Sequence, residues 1–166
     1  VKKLIVFWAG YFWGHVQVSR HKLWVFYYII KINFKIKHPD KWALFKRGLV
    51  HDLDKFFWAE AKYFAKVAFK LKTITYGTDE YREMLKCIKP CITLHYSKNS
   101  HHPEYYKDGY QGLSHLDKLE MTADWIAATK RHTDGNIFAS LEKNQDRFSY
   151  NDKEKEFLKS IVDKII

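Results

Sequence analysis

Apolar residues recur at helical intervals along almost the whole chain, and no segment alternates apolar and polar positions as a half-buried strand does. The first run, Leu4 to Trp13, follows Lys2-Lys3 and is too short to span a bilayer. Gly10 and Gly14 interrupt it and no small-residue cleavage site comes after it, so it reads as the first core helix rather than a secretory signal. The period continues from His15 to about Lys37 through Val18, Trp24, Val25, Tyr28, Ile29 and Ile32, interleaved with Arg20, Lys22, Lys31 and Lys35. This predicts one long amphipathic helix that begins in the run before it.

His38-Pro39-Asp40 stops that helix, because proline disfavours helical geometry in the residue before it and Asp40 can cap the next helix. A short helix is predicted from Lys41 to Val50, another from Phe56 to Leu71, and a third from Glu80 to Leu94 that Pro90 kinks or breaks. Tyr76-Gly77-Thr78-Asp79 reads as a turn, with Thr78 or Asp79 as cap. From Tyr96 to Leu113 the chain is rich in Ser, Asn, His, Pro, Gly and Tyr without a period, which predicts a long loop or a set of short turns. Further helices are predicted at Leu116 to Arg131, Asn136 to Asn144 and Asn151 to Ile166, with a turn at Asp134-Gly135. The lysines and acidic residues of the last one read as a solvated face. The fold expected is all-α, a single compact domain over residues 1–166 with six to eight helices and a long histidine-bearing loop.

A formal net charge of +10 and a pI near 9.4 favour acidic partners: nucleotides, nucleic acid or an anionic membrane surface. Aromatic residues make up 17% of the chain and are interspersed with lysines, as expected for amphipathic helices with some exposed rings. Interfacial membrane contact through Phe7, Trp8, Tyr11, Phe12 and Trp13 is the alternative to reading the first run as core. Cys87 and Cys91 are too few for a disulfide framework and read as reduced thiols of a cytoplasmic protein. A zinc half-site from the pair would need two more ligands.

The candidate chemistry centres on Gly48-Leu49-Val50-His51-Asp52-Leu53-Asp54-Lys55-Phe56. If helical, this stretch places Lys55 on the face of His51 with Asp52 about 100° round the axis, so that the three polar ends converge. An imidazole and a carboxylate suit a divalent metal, and an ammonium beside them suits a phosphate. Further candidate ligands are His21, His95, His101, His102 and Asp124, which complete the order His, His-Asp, His, His-His, Asp. Asp124 lies among apolar residues, where an unpaired carboxylate is costly. His15, His38, His115 and His132 fall outside the pattern.

That order resembles the HD superfamily of helical metal-dependent phosphohydrolases. The likeness is strongest to a small, mostly phage-associated branch, on His21-Lys22, His51-Asp52-Leu53-Asp54-Lys55-Phe56 with Glu60 downstream, Asn99-Ser100-His101-His102 and Glu120-Met121-Thr122-Ala123-Asp124-Trp125, within residues 21–131. The resemblance implies that His21, His51, Asp52 and Asp124 hold one divalent metal and that Asp52 is shared with a second. It gives the second metal to His95 and to His101 or His102, with His101 favoured. The ions implied are Mn, Fe, Mg, Zn, Co or Ni. Lys55 would neutralise a phosphate oxygen, and Glu60 would move a proton, orient a ligand or lie at the surface. Apart from the resemblance, Asn99 and the tyrosines Tyr96, Tyr105, Tyr106 and Tyr110 flank the histidine loop and are candidates either for contact with a nucleobase or for a simple cover over the site. Asp54 stands where this branch is expected to have serine.

The function implied is hydrolysis of a nucleotide or other small phosphate ester, in a cytoplasm, that of the host if the chain is phage-encoded. The same ligand set suits a di-iron oxygenase. A third reading is a non-enzymatic basic module that binds nucleic acid or a membrane surface.

Overall fold

The computed structural model describes residues 2–69, 74, 78–131 and 135–166. Among these the fold is all-α, with eight α-helices and no strand. They are α1 (Lys2–Lys35), α2 (Lys41–Val50), α3 (Trp58–Val67), α4 (Asp79–Cys87), α5 (Lys89–Tyr96), α6 (His115–Thr129), α7 (Ile137–Phe148) and α8 (Asp152–Ile165). No described helix is long and apolar enough to cross a membrane.

Two compact units are present, each built from two separated stretches. One comprises Val1–Arg20 and Asp52–Lys98, the other His21–His51 and Asn99–Ile166.

In the first unit, Val67, Ile74, Met84 and Ile88 form a small apolar core with Tyr63, Phe64 and Leu85 against it. The first part of α1 approaches α3 through its glycines. Gly10 is buried, and a Cβ there would stand 2.3 Å from the backbone oxygen of Ala65. Gly14 is likewise buried, within van der Waals reach of Phe64 and Ala68. The two glycines therefore do not interrupt the helix; they form the flat side that lets α1 and α3 meet.

This corrects the reading of residues 4–13 as a core helix. Leu4, Ile5, Trp8 and Phe12 are exposed, because the side of α1 that packs is the glycine side. Gly10→Ala gains about 1 kcal/mol of helix propensity. The clash with a backbone oxygen that cannot swing aside costs about 1–3 kcal/mol, so we expect a lower Tm by circular dichroism; a raised Tm would refute the close approach.

The second unit holds the larger core. Val25, Ile29 and Ile32 of α1 pack with Leu44, with Leu119 and Ile126 of α6, and with Leu158, Ile161 and Val162 of α8. Gly48 of α2 fits against Phe26 and Ile29, where a Cβ would lie 3.0 Å from each. Ser114 begins α6 with a capping box: its hydroxyl accepts from Asp117 N–H while the Asp117 carboxylate accepts from Ser114 N–H. The acidic and basic side chains of α8 are mostly solvated as expected, but Glu154 accepts hydrogen bonds from Tyr110 and Lys118.

Several boundaries move. The helix expected from Phe56 begins at Trp58 and ends at Val67, and residues 70–71 lie outside the described set. Pro90 breaks the next predicted helix completely: α4 ends at Cys87 and α5 carries Pro90 in its first turn. Thr78 caps α4, accepting from Tyr81 N–H. α7 runs past its expected end at Asn144, to Phe148. The Tyr96–Leu113 stretch contains two short 3₁₀ turns, Pro103–Tyr105 and Gly109–Gly112. The turns expected at residues 76–77 and at Asp134, and His132, lie outside the described residues.

Candidate metal centre

In the second unit, four segments bring together His21 from the middle of α1, His51 at the end of α2, His101 from the loop, and Glu120 and Asp124 from α6. All five are buried. Glu120 and Asp124 stand one helical turn apart, on one face of the helix. His21 Nε2 lies 2.8 Å from Asp124 Oδ1, and His51 Nε2 lies 4.0 Å from the same oxygen. His101 Nε2 is 3.9 Å from Asp124 Oδ2.

The opposite edge of the His51 ring is anchored: Nδ1 and Glu120 Oε1 share a hydrogen bond of 2.9 Å. An imidazole that donates Nδ1–H to a carboxylate directs the lone pair of Nε2 outward, the usual arrangement of a metal-binding histidine. His21, His51 and Asp124 each offer a donor atom within 4.8 Å of the others, as do His51, His101 and Glu120. Donors about 2 Å from an ion stand about this far from one another, so the residues present fit a divalent metal.

Glu120 is in turn held by Arg47. The Arg47 Nε–H donates to Glu120 Oε2 at 2.6 Å, and its Nη2 donates to Ser100 Oγ at 2.8 Å and to Asp117 Oδ1. Burial pushes the Glu120 carboxyl upward, but the bond to His51 and the charges of His101 and Arg47 outweigh it and hold its pKa below the ordinary value. Burial likewise opposes the Arg47 charge, and Glu120 and Asp117 more than offset it.

Asp117 also accepts from Ser100, Tyr106 and the Ser114 hydroxyl. Burial raises its pKa, yet these bonds prevail and depress it from 3.8 to about 2. A depressed carboxylate stabilises the fold above its unfolded pKa and loses that contribution as pH falls through its folded value. We expect about 2 kcal/mol from Asp117 above pH 4, fading as the pH drops toward 2. Urea unfolding of the wild type and Asp117→Asn across that range checks it; a constant difference between the two would contradict it.

In the first unit, Asp52 comes just after the end of α2 with φ 55°, a left-handed conformation that short polar residues tolerate best. Residues 53–56 continue as a 3₁₀ turn. The expectation of one helical face for His51, Asp52 and Lys55 is therefore corrected: α2 ends at Val50, and the boundary between the units falls between His51 and Asp52. Lys55 Nζ instead donates to Asp52 Oδ2 at 2.5 Å.

His95, in the last turn of α5, has Nε2 3.2 Å from Asp52 Oδ1. Its Nδ1 pairs with Asp54 Oδ2 at 2.9 Å and lies 3.5 Å from Glu60 Oε2. Asp54 thus anchors His95 as Glu120 anchors His51, leaving Nε2 toward Asp52. Burial and the Lys55 charge push the His95 pKa down, but Asp52, Asp54 and Glu60 together lift it to about 10.

Glu60 is buried in the first turn of α3, and neither carboxylate oxygen has a hydrogen bond among the described residues. Cys91 Sγ donates to the Glu60 backbone oxygen, and burial, then the Glu60 charge, pushes that thiol up to about 12. Cys91 is an inert core thiol; Cys87 is free and exposed.

Residues 14–166 match the model of a family described as "Family of unknown function (DUF5662)". The chain belongs to this family. The matched segment of the DUF5662 chain contains every donor described above. No curated protein and no solved structure matches it.

The reading of the sequence assigns no role to Glu120, Arg47 or Asp117. Glu120 carries a signal, being an acidic residue one turn before Asp124 on a mostly apolar helix. Arg47 carries none, since its partners lie 53 to 73 residues away. Of the remaining candidates, His102 is half-buried, its ring centroid 4.1 Å from that of His101. Tyr96 is half-buried with its ring 6.1 Å from that of His95, and Asn99, also half-buried, accepts through its backbone oxygen from His102 N–H.

The histidines outside the pattern have other roles. His15 Nδ1 lies 2.9 Å from the Tyr11 carbonyl oxygen. His38 is buried with Nε2 2.9 Å from Asn33 Oδ1, and burial lowers its pKa. His115 is exposed.

Proposed function

We propose that this DUF5662 chain is a metal-dependent phosphohydrolase of the HD type, acting on a nucleotide or other small phosphate ester. The observation that carries the proposal is the set of buried imidazoles whose Nδ1 is tied to a carboxylate and whose Nε2 faces another: His51 between Glu120 and Asp124, and His95 between Asp54 and Asp52. Such tethering costs histidine rotamer freedom and is the arrangement that orients ligands.

His21, His51 and Asp124 would hold a divalent ion, with His101 beside them; Asp52 and His95 are the corresponding donors of the first unit. A divalent ion supplies Lewis-acid polarisation of a phosphoryl oxygen and lowers the pKa of bound water. Lys55 has three donors, one of them on Asp52, which leaves two for phosphate oxygens. Glu60 Oε2, 3.5 Å from His95 Nδ1, would add negative charge beside that ring and help orient it.

The test is metal analysis of protein purified without oxygen, with parallel assays of phosphate release from nucleotides and generic esters and of oxygen consumption. Bound metal with phosphate release supports the proposal. Bound iron with oxygen consumption and no phosphate release would replace it with the oxygenase reading. Metal-free, inactive protein that binds nucleic acid in a salt-dependent manner would replace it with the binding-module reading.

A further inference from the structure

We propose that the first part of α1 docks the protein on the surface of an anionic lipid bilayer. Leu4, Ile5, Trp8 and Phe12 are each more than half exposed, with Phe12 at 70%. At the helical repeat they fall within an arc of about 100° and form one continuous stripe. Trp58 of α3, also exposed, extends it: its ring centroid lies 6.5 Å from that of Trp8. The glycine side of the same helix faces α3, so the stripe is what remains when the packing of α1 in its own unit is satisfied.

The charge pattern selects the occupant. α1 contains Lys2, Lys3, Arg20, Lys22, Lys31 and Lys35 and no acidic residue. Lys2 and Arg20 are exposed and lie along one margin of the stripe. A second copy of this helix would bring like charges together. A nucleic acid would satisfy the cations but leave Leu4, Ile5 and Phe12 against water. An anionic bilayer interface takes both, accepting aliphatic and tryptophan side chains at headgroup depth while its phosphates face the cations. The stripe is too short to cross a bilayer and the mode is docking in the interface plane.

The experiment is co-sedimentation of the full chain with vesicles of phosphatidylcholine alone and of equal parts phosphatidylcholine and phosphatidylglycerol. Binding is expected to the mixed vesicles and to weaken with salt. Ile5→Ser combined with Phe12→Ser removes two exposed apolar side chains and is expected to lower the partition constant about tenfold or more, with an unchanged circular dichroism spectrum. Lys2→Glu combined with Arg20→Glu tests the charge separately and should abolish the preference for phosphatidylglycerol. The proposal is overturned by failure of the wild type to bind mixed vesicles or by wild-type binding of both double variants. It is also overturned if lipid-free protein self-associates in a way that Ile5→Ser with Phe12→Ser reverses.

Discussion

His51→Ala is expected to reduce metal affinity by well over a hundredfold and phosphate release to background. The ring is buried, its Nδ1 is fixed by Glu120 and its Nε2 faces Asp124, so the substitution removes an oriented donor. Glu120→Gln removes the anchoring charge and leaves one side-chain oxygen for both His51 and Arg47, and its expected loss is about ten- to a hundredfold, as for other carboxylates that orient a metal-bound histidine. The ranking distinguishes a ligand from its support. Inductively coupled plasma mass spectrometry and turnover on the same preparations provide the readout, with Tm as the check on folding. A His51→Ala protein with wild-type metal content and activity would refute the centre.

Arg47→Ala is expected to have the largest effect on stability, about 3–5 kcal/mol by urea unfolding, because one guanidinium serves two buried carboxylates. The Glu120 and Asp117 side chains are 5% and 3% exposed, and each would be left with an uncompensated charge. Arg47→Lys should recover only part of the loss. An ammonium cannot reproduce the fork that places Nε on Glu120 and Nη2 on both Asp117 and Ser100. A loss below about 1 kcal/mol, the range of a surface pair, would show that the network contributes little.

The helical plan is legible in the sequence because each helix carries its own periodic apolar stripe and most carry their own stop signals. His38-Pro39-Asp40 separates α1 from α2, Pro90 marks the start of α5, and Thr78 caps α4. Where structure and sequence pattern differ, the deciding contact lies far along the chain or the backbone takes an uncommon conformation. Gly10 and Gly14 look like helix breakers in isolation and become packing surface only because α3 lies against them. The spacing of residues 51–55 allows one helical face, but Asp52 adopts a left-handed conformation and ends that face.

Asp54 shows the same division most clearly. Its sequence context suggests only added negative charge beside Lys55. The hydrogen bond to His95 Nδ1 gives it a positioning role that depends on a residue 41 positions away.

By itself the sequence determined the all-helical character of the protein, the breaks between most of its helices and the chemical types of the candidate donors. These are local properties, set by hydrophobic period, proline and capping residues within a turn or two. Only the tertiary structure decided which ring nitrogen of each histidine faces a carboxylate, that Glu120 and Asp54 anchor those rings, that Arg47 supports Glu120, and which side of α1 is left to solvent. Those outcomes depend on side-chain directions from separate segments meeting within a few ångströms. A linear pattern supplies the residue types for such meetings without supplying their orientation.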